Sequence, residues 1–293
     1  MSRDTADLHA TCIAAAEAGA RVLRELFDKP REVHHKGRID LVTDADRAAE
    51  ERILAVLAER APGVRVLAEE SGAHGTSGEA RFIVDPLDGT TNYAHGLPLY
   101  ACTVAAEVSG TAVAGCTIDP SRGELFHARR GGGAFVRRSG GSESGLSRTG
   151  LSRSGASRGG ANRSGGPGPD DRPLRVSATR ELSQAVVCTG FPYDRREQLQ
   201  WLLQKFARFT ELAQGTRRLG SAALDLAFVA AGRLDGFWEQ GLKPWDVAAG
   251  QVLVEEAGGL VTRFDGTLHD LESGQILAAN PSLHAPMLQV LRI

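Results

Sequence analysis

Hydrophobic residues recur every three to four positions in two stretches of the N-terminal part of the chain. One stretch covers residues 8–27 and stops before Pro30, and the other covers about residues 44–60 and stops before Pro62 and Gly63. A repeat of this length places the apolar side chains on one face of an α-helix, and proline cannot continue a helix. The pattern therefore predicts two amphipathic helices in this part of the chain.

Short runs of apolar and β-branched residues follow these helices. Turn-forming residues separate the runs, and Ser109-Gly110 predicts a hairpin. Later in the chain, similar runs alternate with helical repeats, which predicts layered helices and sheets of the α/β or α+β type. The predicted strands are 64–68, 81–85, 101–108, 111–118, 124–128, 133–137, 174–177, 185–189 and 235–239, and the later helices are 195–210, 220–231 and 246–257.

The composition changes sharply over residues 139–171, where almost every residue is Gly, Ser, Arg or Pro and the pattern repeats every five residues. Such a segment cannot bury enough apolar surface to offset its chain entropy. We predict a flexible surface insertion between an N-terminal part, residues 1–138, and a C-terminal part, residues 172–293. It is either a loop expansion that the fold tolerates or an arginine-rich contact for RNA or another acidic partner. Its evenly spaced arginines are Arg148, Arg153, Arg158 and Arg163.

Composition and charge exclude several classes of protein. The chain has 293 residues, 42% of them hydrophobic, and a net charge of −2, which fits neither wholesale disorder nor a protein built mainly to coat nucleic acid. No apolar run approaches the ~18 residues of a membrane helix, and acidic residues interrupt the start where a signal peptide would lie. The four cysteines form no CxxC motif, so we expect reduced thiols in a cytoplasmic protein.

The stretch from Asp85 to Asn92 carries the strongest chemical signal. It reads Asp-Pro-Leu-Asp-Gly-Thr-Thr-Asn and follows a β-type run at 82–84. Its proline and glycine favour a rigid turn on which Asp85 and Asp88 converge. Converging carboxylates repel each other unless a cation or a proton joins them, and oxygen ligands favour a hard cation, Mg²⁺ before Mn²⁺ or Ca²⁺. A turn that caps a helix is the alternative interpretation.

Three further acidic groups lie where the pattern predicts strand ends or helix starts. Glu69 and Glu70 follow the predicted strand 64–68, Asp246 opens one helix, and a group that ends at Asp46 opens another. Each group alone could be a solvated helix cap. Together they occupy the positions at which α/β sheets place ligand sites.

These motifs resemble those of the inositol monophosphatase-like phosphatases, which are metal-dependent and lithium-sensitive. The two main matches are residues 85–92 and 245–250, the latter followed by Glu256-Ala-Gly-Gly259. The supporting matches are residues 36–43, 69–72, 190–193 and 220–223, so that the resemblance covers nearly the whole chain apart from the insertion. It implies an α/β (α+β) fold, the layered αβαβα sandwich of the inositol monophosphatase and sugar phosphatase type, and a homodimer.

The resemblance also implies roles for individual residues. It implies two Mg²⁺ sites and a weaker third one, with Mn²⁺ as a substitute, and inhibition by Li⁺. The implied metal ligands are Glu69, Asp85, the carbonyl group of Leu87, Asp88 and Asp246. The implied catalytic residues are Asp46, Thr90 and Glu69, and the implied substrate-binding residues are Asp88, Gly89, Thr90, Gly220, Ser221, Ala222, Glu239 and Asp246, with Lys36 in a mobile loop beside the metals.

The implied reaction is hydrolysis of a phosphate monoester. In water this reaction is among the slowest in biology, so a catalyst must lower the barrier by ~20 kcal/mol or more. Metal ions can activate water and neutralise phosphate oxygens, and the motifs place no Ser, Cys or His as a nucleophile. We therefore expect direct attack by water without a phosphoenzyme intermediate.

The substrate is less tightly defined than the reaction. The stretch 237–246 resembles inositol monophosphatases most, which favours myo-inositol monophosphate. Histidinol phosphate or another small phosphate ester is the alternative within the same reaction class. The non-enzyme alternative is an RNA- or polymerase-associated regulator that uses the arginine repeats.

Overall fold

The computed structural model describes residues 4–29, 33–35, 41–75, 78–138, 167–192 and 196–292, which form three β-sheets, of eight, five and two strands, and the helices packed against the larger two. The helices are α1 (Thr5–Leu26), α2 (Asp44–Arg60), α3 (Thr90–Ala94), α4 (Leu199–Leu212), α5 (Ala222–Ala230), α6 (Pro244–Glu256) and α7 (Pro281–Arg292). The strands are β1 (Val33–His35), β2 (Leu41–Thr43), β3 (Arg65–Ala68), β4 (Gly72–His74), β5 (Ala80–Asp88), β6 (Ala101–Val108), β7 (Thr111–Asp119), β8 (Glu124–Arg129), β9 (Gly133–Arg138), β10 (Arg172–Pro173), β11 (Val186–Thr189), β12 (Gly215–Arg217), β13 (Gly236–Gln240), β14 (Leu260–Thr262) and β15 (Gln275–Ala279).

The larger sheet has eight strands in the order β10-β9-β8-β7-β6-β5-β3-β4, and only its β3–β5 pair is parallel. Both of its faces are covered, as β5 shows: Phe82 and Val84 pack with α1 and α2, whereas Ile83 between them packs with α5 and α6. This alternation follows from the two-residue period of a strand. The apolar run that leads to Asp85 is therefore buried on both sides.

The smaller sheet has the order β12-β11-β13-β15-β14 and lies on the other side of α5 and α6. Phe237 faces α5 and α6, whereas its neighbour Trp238 packs with Leu202 of α4 and Leu283 of α7. The layers are thus α1/α2, sheet, α5/α6, sheet and α4/α7, which confirms the predicted αβαβα sandwich. Within the described ranges, no helix has the length and apolar character needed to cross a bilayer.

The predicted strand at 174–177 is wrong. β10 ends at Pro173, and beyond it Leu174 N donates to Ala134 O at 2.8 Å while Val176 N donates to Ala257 O at 3.1 Å. Leu174 is buried in the layer of α5 and α6. The alternating apolar pattern here therefore reflects burial of an extended segment rather than pairing with a strand along its whole length.

Residues 139–166 of the predicted insertion lie outside the described residues, and the chain is described again from residue 167. Asp171, near the end of the predicted insertion, has a side chain that is only 1% exposed. Its carboxylate accepts hydrogen bonds from Arg137 Nε at 2.7 Å and from Gly168 N at 2.6 Å. The chain thus returns beside β9, the strand from which it departed.

A buried histidine pair adjoins this anchor. Asp171 Oδ2 lies 3.2 Å from His127 Nε2, and His127 Nδ1 lies 3.1 Å from His9 Nε2 on α1. Burial, followed by the proximity of His127, lowers the pKa of His9 to about 3. Since His9 is then neutral near pH 7, the pair joins α1 to β8 without placing a charge on His9.

Candidate functional site

A cavity of about 480 Å³ opens where the carboxyl ends of two parallel strand pairs, β3–β5 and β11–β13, approach each other. Ligand sites of α/β sheets commonly occupy this position. The cavity is lined by eleven of the residues that the sequence predicts for the site, namely Glu69, Asp85, Leu87, Asp88, Gly89, Thr90, Gly220, Ser221, Ala222, Glu239 and Asp246. Lys36 lies outside the described residues.

β5 carries the first two predicted carboxylates at its end. The predicted turn is instead an irregularity of the strand, because the β5–β6 register shifts between Asp85 and Asp88 and the strand continues to Asp88. Asp88 Oδ2 accepts hydrogen bonds from Ser221 Oγ at 2.6 Å and from Ala223 N at 2.7 Å. One oxygen of Asp88 is therefore held by the start of α5.

Gly89 lies between Asp88 and α3, at a position where the surrounding backbone leaves no room for a side chain. Its φ is +91°, and a Cβ atom there would lie 2.9 Å from Leu99 O and 3.3 Å from Gly220 O. Asn92 reinforces the same contact, because its Nδ2 donates to Leu99 O at 2.7 Å and to Leu219 O at 2.8 Å. Gly89 and Asn92 thus hold the motif against the segment before α5, which forms another part of the cavity wall.

Asp246 brings the third carboxylate from a distant part of the chain. It lies in the first turn of α6, where its Oδ2 accepts a hydrogen bond from Lys243 N at 2.7 Å. Asp85, Asp88 and Asp246 each offer one oxygen, and these three atoms lie within 4.8 Å of one another. The structure therefore gathers three of the predicted ligands.

The electrostatics of this cluster favour a bound cation. Burial, and then the nearby Glu69, Asp88 and Asp246, raise the pKa of Asp85 well above its ordinary value. Burial also raises the pKa of Asp88 to about 6 and that of Asp246 well above normal. Like charges held this close require protons or a cation between them. The donors are all oxygens, so the cluster fits a hard divalent ion.

Glu69 follows β3 and lines the same cavity. Its backbone N donates to Val84 O at 3.1 Å, which continues the pairing with β5. The next residue is fixed by α2, because Glu50 Oε2 accepts a hydrogen bond from Glu70 N at 2.9 Å. Glu69 lies outside the group of three close oxygens, but it raises the pKa of Asp85 and thus stands beside the cluster.

Asp46 pairs with Thr90, which lines the cavity, and itself lies outside the lining residues. Thr90 Oγ1 lies 3.2 Å from Asp46 Oδ1 and 3.0 Å from the carbonyl oxygen of Leu87. The other carboxylate oxygen of Asp46 accepts from Thr43 N at 2.8 Å and from Thr43 Oγ1 at 2.6 Å, within the capping box of α2. Burial raises the pKa of Asp46 to about 6. Asp46 therefore sits where it can hold the Thr90 hydroxyl proton.

Glu239 is the penultimate residue of β13 and lies on the side of the cavity formed by the smaller sheet. It is only 8% exposed, and its carboxylate has no hydrogen-bond partner among the residues that the structure describes. Burial and then the neighbouring Asp225, Asp246 and Asp88 raise its pKa well above the ordinary value. A buried acceptor that faces a cavity without a partner is suited to a ligand that donates a hydrogen bond.

Several cavity residues were not assigned roles by the sequence. Gly190 lies in a supporting match without a predicted role, and the sequence patterns assign no role to Arg218 or Lys243. Arg218 lies over the ring of Phe191, with its guanidinium carbon 5.9 Å from the ring centre. No local pattern marks these positions, because each reaches the cavity only through the pairing of distant segments.

Comparison with known proteins gives the context of this geometry. The family model described as "Inositol monophosphatase family" matches residues 4–292. The Synechocystis sp. protein named inositol-1-monophosphatase is 39% identical over 280 residues, covering 95% of this chain and 86% of its own. The Salmonella typhimurium protein named Nus factor SuhB is 37% identical over 284 residues, covering 96% of this chain and 94% of its own.

A solved structure is similar over the same range. The inositol monophosphatase from Anabaena (Nostoc) sp. superposes with a TM-score of 0.78 at 37% sequence identity, covering 97% of this chain and 94% of that chain. The predicted resemblance and fold type are thereby confirmed.

Proposed function

This chain belongs to the inositol monophosphatase family of metal-dependent phosphatases, and we propose that it is a Mg²⁺-dependent enzyme that hydrolyses myo-inositol monophosphate to inositol and phosphate. The observation that carries the proposal is the close group of Asp85, Asp88 and Asp246 at one end of the cavity. The carboxylate of Glu239, which has no partner in the described part of the chain, faces the same cavity. The first group suits a metal–phosphate centre, and the second suits a hydroxyl group of the alcohol.

In this proposal Glu69, Asp85 and the carbonyl group of Leu87 would hold one Mg²⁺, and Asp85, Asp88 and Asp246 would hold a second. A third, weaker ion near Glu69 and replacement by Mn²⁺ belong to the same proposal. When bound, such ions lower the pKa of a water molecule and neutralise charge on phosphate oxygens. The carboxylates lie close together and repel one another, and binding of cations would relieve this repulsion.

Thr90 and Asp46 orient the attacking water. The Thr90 hydroxyl donates towards Asp46 Oδ1, which leaves a lone pair of Thr90 Oγ1 free to accept a hydrogen bond from water. The water oxygen forms the new bond to phosphorus while the bond to the alcohol oxygen breaks. The alcohol oxygen takes up a proton, so that one water and one ester give one alcohol and one phosphate.

The remaining predicted residues bind the two parts of the substrate. The backbone N–H groups of Gly89 and Thr90 bind the phosphate, and the segment Gly220–Ala222 lines the wall beside the alcohol. Glu239 accepts a hydrogen bond from a hydroxyl of the polyol. A substrate without that hydroxyl would leave this buried acceptor unsatisfied, at a cost of about 1–3 kcal/mol, enough to select a polyol over an alcohol without a suitably placed hydroxyl.

A panel of phosphate esters tests this proposal. Purified protein with Mg²⁺ is expected to release phosphate from inositol 1-phosphate much faster than from histidinol phosphate, and EDTA should abolish both reactions. Inhibition by Li⁺ and a homodimer in solution are part of the same proposal. A preference for histidinol phosphate would overturn the proposed substrate while leaving the reaction class intact, whereas turnover that resists EDTA would overturn the metal mechanism.

A second candidate function has an observation of its own. Relatives at 37% identity are named Nus factor SuhB, and residues 139–166 carry four regularly spaced arginines. These features suit an RNA- or polymerase-associated regulator, since arginine-rich segments bind nucleic acid through charge and stacking.

Removal of residues 141–165 separates the two functions. This deletion retains Asp171 and its bonds to Arg137 and Gly168, so phosphatase turnover is expected to remain. If the second function exists, RNA affinity falls, and a full-length variant with serine at the four arginines loses affinity equally. Equal RNA affinity in all three proteins would exclude this role for the segment.

A further inference from the structure

Gly190 follows β11 directly and lies beside Glu239. The parallel β11–β13 register pairs Cys188 with Phe237 and Thr189 with Trp238, so the next pair along the strands is Gly190 and Glu239. Side chains of paired residues in parallel strands point to the same face of the sheet. The missing side chain of Gly190 therefore leaves space immediately beside Glu239.

The carboxylate of Glu239 fills that space. A Cβ atom built on Gly190 would lie far inside van der Waals contact of both carboxylate oxygens and of the carboxyl carbon of Glu239. Neither backbone nor any other side chain is among the nearest atoms. Glu239 thus occupies the volume that any other residue at position 190 would need for itself.

The backbone of Gly190 does not itself demand glycine. Its φ is outside the left-handed range that Gly89, Gly220 and Gly241 adopt. An alanine at position 190 would therefore fit the backbone, and its closest collision would be with the end of one flexible side chain. Space for the Glu239 carboxylate is the physical reason for glycine at this position.

We propose that Gly190 is a positioning residue that sets the selectivity of the active site for the alcohol part of the substrate, by holding open the space in which the Glu239 carboxylate lies. This inference rests on the proposed function, because it concerns the group that Glu239 binds. Displacement of the carboxylate removes the hydrogen-bond acceptor from its position beside the polyol. The carboxylates at the phosphate end of the cavity keep their own hydrogen bonds to Ser221, Ala223 and Lys243.

The expected consequence is a loss of selectivity. In Gly190→Ala, the ratio of kcat/KM for inositol 1-phosphate to that for p-nitrophenyl phosphate, whose leaving group has no hydroxyl for Glu239, falls about ten- to a hundredfold, as for loss of one hydrogen bond between buried groups. The change appears mainly in KM for the inositol ester, because a contact remote from phosphorus contributes to ground-state and transition-state binding alike.

Two further variants distinguish positioning from general damage. Gly132→Ala is the matched control: the atoms nearest its new Cβ would be those of the Arg129 side chain, on a turn outside the cavity, and the selectivity ratio should not change. In Glu239→Ala the carboxylate is already absent, so adding Gly190→Ala should leave the ratio within about twofold of the single variant. Additive losses would overturn the proposal.

A crystal structure of full-length Gly190→Ala gives a readout that is independent of the substrate. The proposal predicts that the Glu239 carboxylate has left the space over residue 190, and a carboxylate still in its original place would overturn it. A wild-type enzyme with no preference for inositol 1-phosphate would instead contradict the proposed substrate, and the selectivity role with it. Unchanged selectivity in Gly190→Ala, with a selective wild type, would contradict only the role of Gly190.

Discussion

Asp88→Asn should lower Mg²⁺-dependent turnover by several orders of magnitude and at the same time raise the stability of the metal-free protein. The oxygen of Asp88 that faces α5 accepts two hydrogen bonds, from Ser221 Oγ and Ala223 N. An asparagine can keep both with its amide oxygen, and it then presents an NH₂ group, which cannot bind a cation, to Asp85 and Asp246. The fold remains while one ligand is lost.

The gain in stability follows from the raised pKa of Asp88. Burial raises this pKa from 3.8 to about 6 in the folded protein, so the folded state disfavours the charged form. The stability contribution of this group is complete below about pH 4 and is lost as the pH rises through 6. Removal of the charge should therefore raise the free energy of unfolding by about 1–3 kcal/mol at pH 7.5, with a smaller gain at pH 5.

Urea unfolding in EDTA measures the stability, and the Mg²⁺-induced shift in Tm measures metal binding. We expect Asp88→Asn to lose most of that shift. The exposed Asp170, changed to asparagine, serves as the control and should alter neither quantity. A variant at Asp88 that retains most of its turnover, or that is less stable than wild type without metal, would contradict the assignment of Asp88 as a ligand.

Asp46→Asn is expected to lower kcat by about 10²–10⁴-fold, the usual effect of removing a group that assists proton transfer. One carboxylate oxygen of Asp46 accepts hydrogen bonds from Thr43 N and Thr43 Oγ1, and the other faces Thr90 Oγ1. If the amide oxygen of asparagine keeps the two bonds to Thr43, its NH₂ group must face Thr90. The Thr90 hydroxyl then loses this acceptor and no longer holds water in the same orientation.

Asp44→Asn is the matched control, since Asp44 is an exposed acid in the same helical turn. It should leave kcat unchanged, and neither variant should alter the Mg²⁺-induced shift in Tm greatly. Equal losses of kcat in the two variants would indicate a general effect of charge at the start of α2. Full activity of Asp46→Asn would show that the pair with Thr90 does not orient water.

The sequence could predict those parts of the site in which a strand or helix pattern leads directly into residues able to bind a ligand. The apolar run before Asp85 is long enough to indicate a buried strand, and carboxylates at its end could only be explained by a cap, a proton or a cation. The gathering of Asp246 with Asp85 and Asp88 could not be obtained in this way, because more than 150 residues separate them. The family resemblance supplied that step, and the structure shows the three oxygens together.

Other features depend on partners that no local pattern reveals. Glu50 looks like any acid on a helix until β3 brings Glu70 N against it, and Gly190 looks like a turn residue until β13 places Glu239 beside it. The final elements β14, β15 and α7 were not predicted. α7 contains Pro286, and Leu260–Thr262 is too short for periodicity to distinguish a strand from a loop.

The central claim is that Asp85, Asp88 and Asp246, with Glu69 beside them, hold divalent cations that the reaction requires. Anomalous diffraction from a crystal of the active enzyme grown with Mn²⁺ in place of Mg²⁺ tests it most directly. The account predicts strong anomalous peaks within bonding distance of these carboxylates. A crystal of catalytically active protein in which the four side chains surround no manganese, or in which manganese lies elsewhere, would contradict it.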